Sequence, residues 1–342
     1  MKIAIIKGPK KAEIVEVSSP KAKNEYVVVK IHTAPMCTEY KAFRDGVPSL
    51  CLGHEAAGEV VEIDNSLLVK KGDRVVVMPQ YPCGICSLCN SGDYIHCENN
   101  VDPLKICDCE YGTATYAQYM IKSDKLLIPI PDDLSFDEAS MACCGLGSTF
   151  GAVQNMQINN SDSVLITGLG PVGLGAIINC LTRKAKVIVV ARNEYRMKLA
   201  ADLGAKIILN PDDPKLYQKI KEVTQYKGAS KAIECSGARL YQNICIEGVR
   251  RKGAISFVGE SGALPIAISD QLIRKGLTLT GSWHWNMNLA SEILDTIRQS
   301  KSSINKMVTH IFPMDQLEEA FELQEKGSCG KILLKPWGLK VI

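Results

Sequence analysis

Nothing in this 342-residue sequence is suited to a bilayer or to nucleic acid. No run approaches the ~20 apolar residues of a membrane span. The first apolar segment, 3–6, is only a few residues long and reads as a strand rather than a secretory leader. Excess charge of one sign is also missing: 40 Lys and Arg against 37 Asp and Glu leave +3, with no basic run or stripe, so nucleic acid is not expected as a partner. Low-complexity tracts and internal repeats are absent. What remains is a globular composition, 46% hydrophobic and 23% charged, long enough for two domains with a core each.

Cysteine, by contrast, is plentiful and clustered, with 14 residues. Without a leader, thiolate–metal ligation explains them better than a disulfide framework, and a cytoplasmic location is expected.

The organising stretch is 163–183, SVLITGLGPVGLGAIINCLTR. A short apolar strand runs into Gly168, Gly170 and Gly173 in G-x-G-x-x-G spacing, with Pro171 and Val172 in the first turn of a helix. The first glycine turns the strand and the second admits a pyrophosphate to the backbone. The third lets helix and strand pack closely. The helix N-terminus then offers N–H donors and partial positive charge. A second strand, 186–190, follows, so the context is that of a dinucleotide-binding unit. Further strands at 206–209, 231–235, 254–259 and 277–281 alternate with helices, which predicts a parallel sheet covered on both faces. Ligand contacts are then expected at the carboxyl ends of the strands, including Ser236 and Val258. The aromatic run Trp283-His284-Trp285 is expected to pack between domains or to line the cleft.

The first 131 residues read differently, as short strands at 3–6, 14–17, 26–31, 58–63, 74–78 and 115–121, a pattern of a partly open β-barrel. Three chemically loaded stretches interrupt them. Cys37 and the Gly53-His54-Glu55 run, taken singly, read more readily as buried filler and a satisfied polar residue than as metal ligands. The third is C-x2-C-x2-C-x7-C at Cys83, Cys86, Cys89 and Cys97. Four thiolates at this spacing fit one closed, structural Zn²⁺. An iron–sulfur cluster would accept the same residues. His96 reads as a neighbour rather than a ligand.

Together, Cys37, Gly53-His54-Glu55, the four-cysteine loop and the glycine motif resemble the zinc-containing medium-chain dehydrogenases, the alcohol, sorbitol/polyol and threonine dehydrogenase group. The resemblance spans essentially the whole chain. It implies an α/β Rossmann domain at 148–286 plus a GroES-like β-barrel catalytic domain at 1–147, completed by a return segment at 287–342. It also implies a catalytic zinc held by Cys37, His54 and a third ligand, Cys144 in preference to Cys143. Glu55 matches the family's carboxylate behind the ligands, one able to swing in as a ligand itself. Lys331 matches a position near the pyrophosphate. A homodimer or homotetramer is implied too. Two positions depart from the family: Cys37 is followed by Thr38-Glu39-Tyr40, which puts Glu39 at the proton-relay position and Tyr40 at the usual Asp. Glu39, or a water it holds, is the expected acceptor of the hydroxyl proton.

Past strand 186–190 the carboxylate that binds a ribose 2′-OH is missing, and Ala191-Arg192-Asn193 stands there instead. Arg192 is able to hold a 2′-phosphate bidentately, with Arg196 as a further contact. This is similar to the NADP-dependent ketose-reductase branch of the polyol family. The expected activity is therefore interconversion of a secondary alcohol (polyol, ketose or cyclitol) and its ketone, with two zincs and NADP(H) favoured over NAD(H). A simple alcohol or aldehyde dehydrogenase with a hydrophobic pocket is the rival, and a non-catalytic cofactor binder a further one. Cys107 and Cys109 find no place in this scheme.

Overall fold

The apolar runs near the N-terminus fold back on one another before the barrel begins. In the computed structural model, which describes residues 1–339, β1 (Lys2–Gly8) and β2 (Lys11–Glu16) form an antiparallel hairpin with Ile3 opposite Val15. β3 (Tyr26–Pro35) follows, then β4 (Ala56–Glu62), β5 (Arg74–Val77), β6 (Tyr119–Ser123) and β7 (Leu127–Pro129). β3 is ten residues long and nearly all buried, and it changes partners along its length. Its first half pairs with β6 and its middle with β4.

β8 (Ser163–Thr167), β9 (Lys186–Val190), β10 (Ile207–Leu209), β11 (Ala229–Glu234), β12 (Val249–Phe257) and β13 (Thr278–Gly281) make a separate, all-parallel sheet in the order β10-β9-β8-β11-β12-β13. Val164, Leu165, Ile166, Val187, Ile188, Val189 and Val190 are all buried, the unbroken apolar pattern of strands covered on both faces. The order reverses between β8 and β11, and the glycine turn that follows β8 lies at this switch point. The chain then supplies β14 (Val308–Pro313) and β15 (Lys331–Lys335), which are parallel to each other, and β15 adds antiparallel to the end of β3.

Two units result. The first holds Met1–Cys144, Asn286–Arg298 and the segment from Val308 onward; the second holds Gly145–Trp285 and Gln299–Met307. The segment after 287 is thus shared between units. The helix Lys301–Met307 lies with the second, where Ser300 and Thr182 exchange a hydroxyl hydrogen bond at 3.0 Å. β14 was not legible in the sequence, and the expected strand at 115–121 is shorter and later, with Ala117 bridging to Ile3 instead. Trp285 is buried edge-on against Phe150 inside the second unit, while Trp283 is 55% exposed. No helix among the described residues is long and apolar enough to cross a membrane.

The second sheet is closed at its N-terminal edge by a charge cluster. Buried Asp162 accepts from Ser230 Oγ at 2.8 Å, Lys231 Nζ at 2.7 Å and the Asn159 amide at 3.1 Å. Burial alone would raise its carboxyl, but the Lys231 and Ser230 bonds outweigh that and hold it below the usual 3.8. A depressed carboxylate contributes stability above the unfolded value and loses it as pH falls through the folded one. Asp162→Asn is therefore expected to lower the thermal midpoint at pH 7 by several degrees and to narrow the gap to wild type as pH falls below about 4. Differential scanning calorimetry from pH 7 to pH 3 checks this; a gap that widens on acidification contradicts it.

Candidate active site and metal centres

Three chain segments of the first unit converge on one point. Cys37 follows β3, His54 and Glu55 immediately precede β4, and Cys144 ends the first long segment of the unit. One donor atom from each of Cys37, His54, Glu55 and Cys144 lies within 4.8 Å of all the others. His54 Nε2 is 3.2 Å from Cys144 Sγ. Cys143 faces elsewhere, its buried thiol donating to the Val77 carbonyl at 3.4 Å. Two thiols, an imidazole nitrogen and a nearby carboxylate are a donor set suited to Zn²⁺.

Among themselves these groups compete for protons. Cys37 is held well below the ordinary thiol range, foremost by a hydrogen bond from Cys144, whose own thiol is driven well above it. A divalent cation would displace the protons such a set retains.

His54 is oriented from behind. Its Nδ1 lies 2.7 Å from Glu39 Oε1. Glu39 Oε2 accepts from the Tyr116 hydroxyl at 2.9 Å and the Cys37 amide at 3.0 Å. Burial would raise this carboxyl, but the hydrogen bond and charge of His54 dominate and hold it at about 2. With both oxygens engaged by His54, Tyr116 and the Cys37 amide, Glu39 sits behind the imidazole, where the expected proton acceptor would act only through His54. It accepts a hydrogen bond from His54 Nδ1, an arrangement in which Nε2 would face a metal. Fully buried Tyr116 gave no signal in the sequence, because its role appears only when β1 brings residues 115–117 beside the site.

Lys331 is also corrected. It is fully buried at the start of β15, and its Nζ is 2.6 Å from Glu55 Oε1. An ammonium with no exposed surface and a carboxylate partner is not open to a pyrophosphate. The other oxygen of Glu55 accepts from the Cys144 amide at 3.0 Å. Burial pushes the Glu55 carboxyl up to about 7 despite the opposing charge of Lys331.

Cys83, Cys86, Cys89 and Cys97 form the second donor group. Their sulfur separations are 3.4 Å (Cys86–Cys89), 3.6 Å (Cys83–Cys97) and 3.9 Å (Cys83–Cys89 and Cys86–Cys97). A tetrahedron with Zn–S of about 2.3 Å has edges of about 3.8 Å, so the four thiols already have the dimensions of a ZnS₄ centre. All 14 cysteines are free. The amides of Cys83 and Asn99 point at Cys97 Sγ, at 3.3 and 3.4 Å. The loop is fastened by Asn286, whose side-chain amide donates to the Ser91 carbonyl and Asp93, both at 2.8 Å. Exposed His96 is not in the group, and neither are Cys107 and Cys109. Cys107 packs with Tyr26, Val28 and Ile121.

In the second unit, Gly168 has φ +81°, and a Cβ on Gly173 would fall 1.9 Å from the Gly168 carbonyl, so the turn and the helix Pro171–Thr182 meet at contact distance. A Cβ on Gly170 would meet nothing within 4 Å: the space a pyrophosphate needs is open there. Ala191 is buried, and the Arg196 amide caps onto Asn193 Oδ1 at 2.9 Å. The hydroxyl of Ser236 is engaged by Glu234 Oε1 at 2.5 Å. Glu234, buried at the end of β11, also accepts the Ser236 and Gly237 amides and shapes the turn before Val258-Gly259; the sequence offered no sign of it. Arg192 Nε donates to Asp212 Oδ2 at 2.8 Å and its Nη2 to Oδ1 at 2.5 Å, a bidentate pair on an exposed surface.

Comparison with known proteins agrees with this geometry. Residues 23–132 match the alcohol dehydrogenase GroES-like domain, and residues 171–299 match the zinc-binding dehydrogenase domain. An L-threonine 3-dehydrogenase of Pyrococcus horikoshii is 30% identical over 94% of both chains, and a sorbitol dehydrogenase of Halalkalibacterium halodurans is 27% identical over 94% of both. The solved structure of alcohol dehydrogenase TADH from Thermus sp. ATN1 superposes with a TM-score of 0.86 over 98% of this chain and 99% of its own, at 24% identity, and supports the fold. The near-complete coverage at 30% identity, together with both domain matches, makes this chain a member of the zinc-containing medium-chain dehydrogenase/reductase superfamily, an oxidoreductase acting on CH–OH groups.

Proposed function

We propose that the enzyme interconverts a secondary alcohol of the polyol, ketose or cyclitol class and its ketone, with NADP(H) preferred to NAD(H). The observation that carries the reading is the convergence of Cys37, His54 and Cys144, with Glu39 behind the imidazole. Cys37, His54 and Cys144 would hold the catalytic zinc, and the second cysteine group a structural one. When bound, zinc polarises the substrate oxygen and lowers its pKa, and the nicotinamide exchanges hydride with the substrate carbon. Glu39 keeps His54 in the tautomer that presents Nε2. Glu55, clamped by Lys331 and the Cys144 amide, fixes the third ligand from behind. Gly170 and the amides at the start of the helix Pro171–Thr182 would receive the pyrophosphate.

A cavity of about 410 Å³ in the first unit reaches His54 and is bordered by Cys51, Tyr81, Asp102 and Thr113. Pro79, Val101, Pro103 and Leu104 supply most of the remaining lining, and the Cys51 thiol and Thr113 hydroxyl already face each other at 3.2 Å, so the polyol assignment draws on the family resemblance of the cofactor loop and the rival hydrophobic-pocket alcohol dehydrogenase is tested beside it.

The NADP(H) preference rests on Arg192 and on the missing carboxylate after β9. Asp212 tempers it, because a 2′-phosphate must take the guanidinium away from an existing carboxylate partner.

Two measurements test the reading. Metal analysis of the purified chain is expected to give two zincs. Glu39→Gln is expected to weaken the catalytic zinc and to lower kcat/KM by about 10- to 100-fold, the usual effect of losing a partner behind a metal-bound histidine. One zinc in the wild type, or an unchanged Glu39→Gln enzyme, would count against it. Initial rates over polyols, cyclitols and aliphatic alcohols with each cofactor supply the second test. Polyols with NADPH should give the highest kcat/KM. Arg192→Ala should cut the NADPH/NADH ratio by about 10- to 100-fold, as expected for loss of one charge-assisted contact of about 1.5–3 kcal/mol, and Asp212→Asn should raise it. A ratio that ignores both substitutions rejects the cofactor assignment.

A further inference from the structure

The glycine turn lies at the carboxyl end of β8. At the opposite end of the same parallel sheet, where β11 and β12 begin at Ala229 and Val249, there is a second cavity of about 620 Å³. Lys221, Lys227, Arg250, Arg251 and Lys275 border it, against one carboxylate, Glu247. That carboxylate is already engaged by Gln271 Nε2 at 2.9 Å. Nearby cations find partners, Lys219 with Asp213 and Arg274 with Asp270. Lys221, Lys227, Arg250 and Arg251 make no ion pair with any described residue. Five cations against one carboxylate leave a net +4 at this cavity, more than the +3 of the whole chain, so this is a concentrated patch rather than a share of a general basic surface.

Lys275 shows the consequence. Its ammonium donates to the carbonyls of Ile246 and Glu247 and is lowered from its ordinary value, first by burial and then by Lys221 and Arg251 against the opposing charge of Glu247. The rim is aromatic as well. Tyr217 and Tyr226 border the cavity at 41% and 75% exposure. Ile220 and Val249 contribute apolar lining.

We propose that this cavity binds a nucleoside polyphosphate, its phosphates among Lys221, Lys227, Arg250 and Arg251 and its base against Tyr226. Four cationic side chains suit phosphate oxygens, an exposed phenol ring offers a stacking face to any base, and the volume is that of a small-molecule site. The site shares no residue with the glycine turn, so both are able to be filled together.

Calorimetric titration of the full, zinc-loaded chain, saturated with its nicotinamide cofactor, tests this with ATP, tripolyphosphate and adenosine. ATP is expected to bind, tripolyphosphate to bind several-fold more weakly and adenosine not to register. Lys227→Glu with Arg251→Glu should weaken ATP about tenfold or more, whereas Arg251→Lys alone should lose little, and Tyr226→Ala should bring ATP down to tripolyphosphate. Binding of the nicotinamide cofactor should stay unchanged in all of them, which also reports that the unit is folded. ATP binding that vanishes once the cofactor is present, that survives the double charge reversal, or that is no tighter than tripolyphosphate would each overturn the proposal.

Discussion

One buried ion pair organises the first unit. Glu55 and Lys331 meet at 2.6 Å with neither side chain exposed, and they join residues 276 positions apart. Neither charge would tolerate that burial alone: losing one member of such a pair costs about 3–5 kcal/mol, a large part of a domain's stability. The same carboxylate accepts the Cys144 amide, so the pair fixes where the third thiol stands. Attachment of the last strand and the position of Cys144 therefore share a single carboxylate.

Glu39 plays the equivalent part for the imidazole. Its two oxygens connect His54, Tyr116 and the Cys37 amide, so two of the three candidate ligands are tied to one carboxylate. With Glu55 behind Cys144 and Glu39 behind His54 and Cys37, all three are held from the protein side. A donor set fixed in this way needs little rearrangement to take a tetrahedral ion.

Much of this was legible in residue spacing. The parallel sheet could be read because each of its strands is a short apolar run with its own punctuation, as at Lys186–Val190 and Gly204. The four-cysteine loop could be read because its ligands are local. What escaped were interactions between distant segments: Lys331 with Glu55, Tyr116 with Glu39, Arg192 with Asp212 and the β14–β15 pairing. Lys331 matches a family position near the pyrophosphate but faces Glu55 instead, since one lysine in an apolar strand gives no hint of what it meets. Glu39 sat at a relay position in the linear order, and only the fold shows both of its oxygens taken.

The separation of Glu55 from Lys331 also has a meaning in time. A ribosome adding about 5–20 residues per second needs roughly 15–55 s to cover that interval, and meanwhile the carboxylate has no counter-charge. The six strands of the parallel sheet lie between the two residues in the chain and are complete first. Synthesis thus delivers every strand of the parallel sheet before β15, and until β15 is made the carboxylate behind Cys144 lacks the cation it meets in the folded barrel.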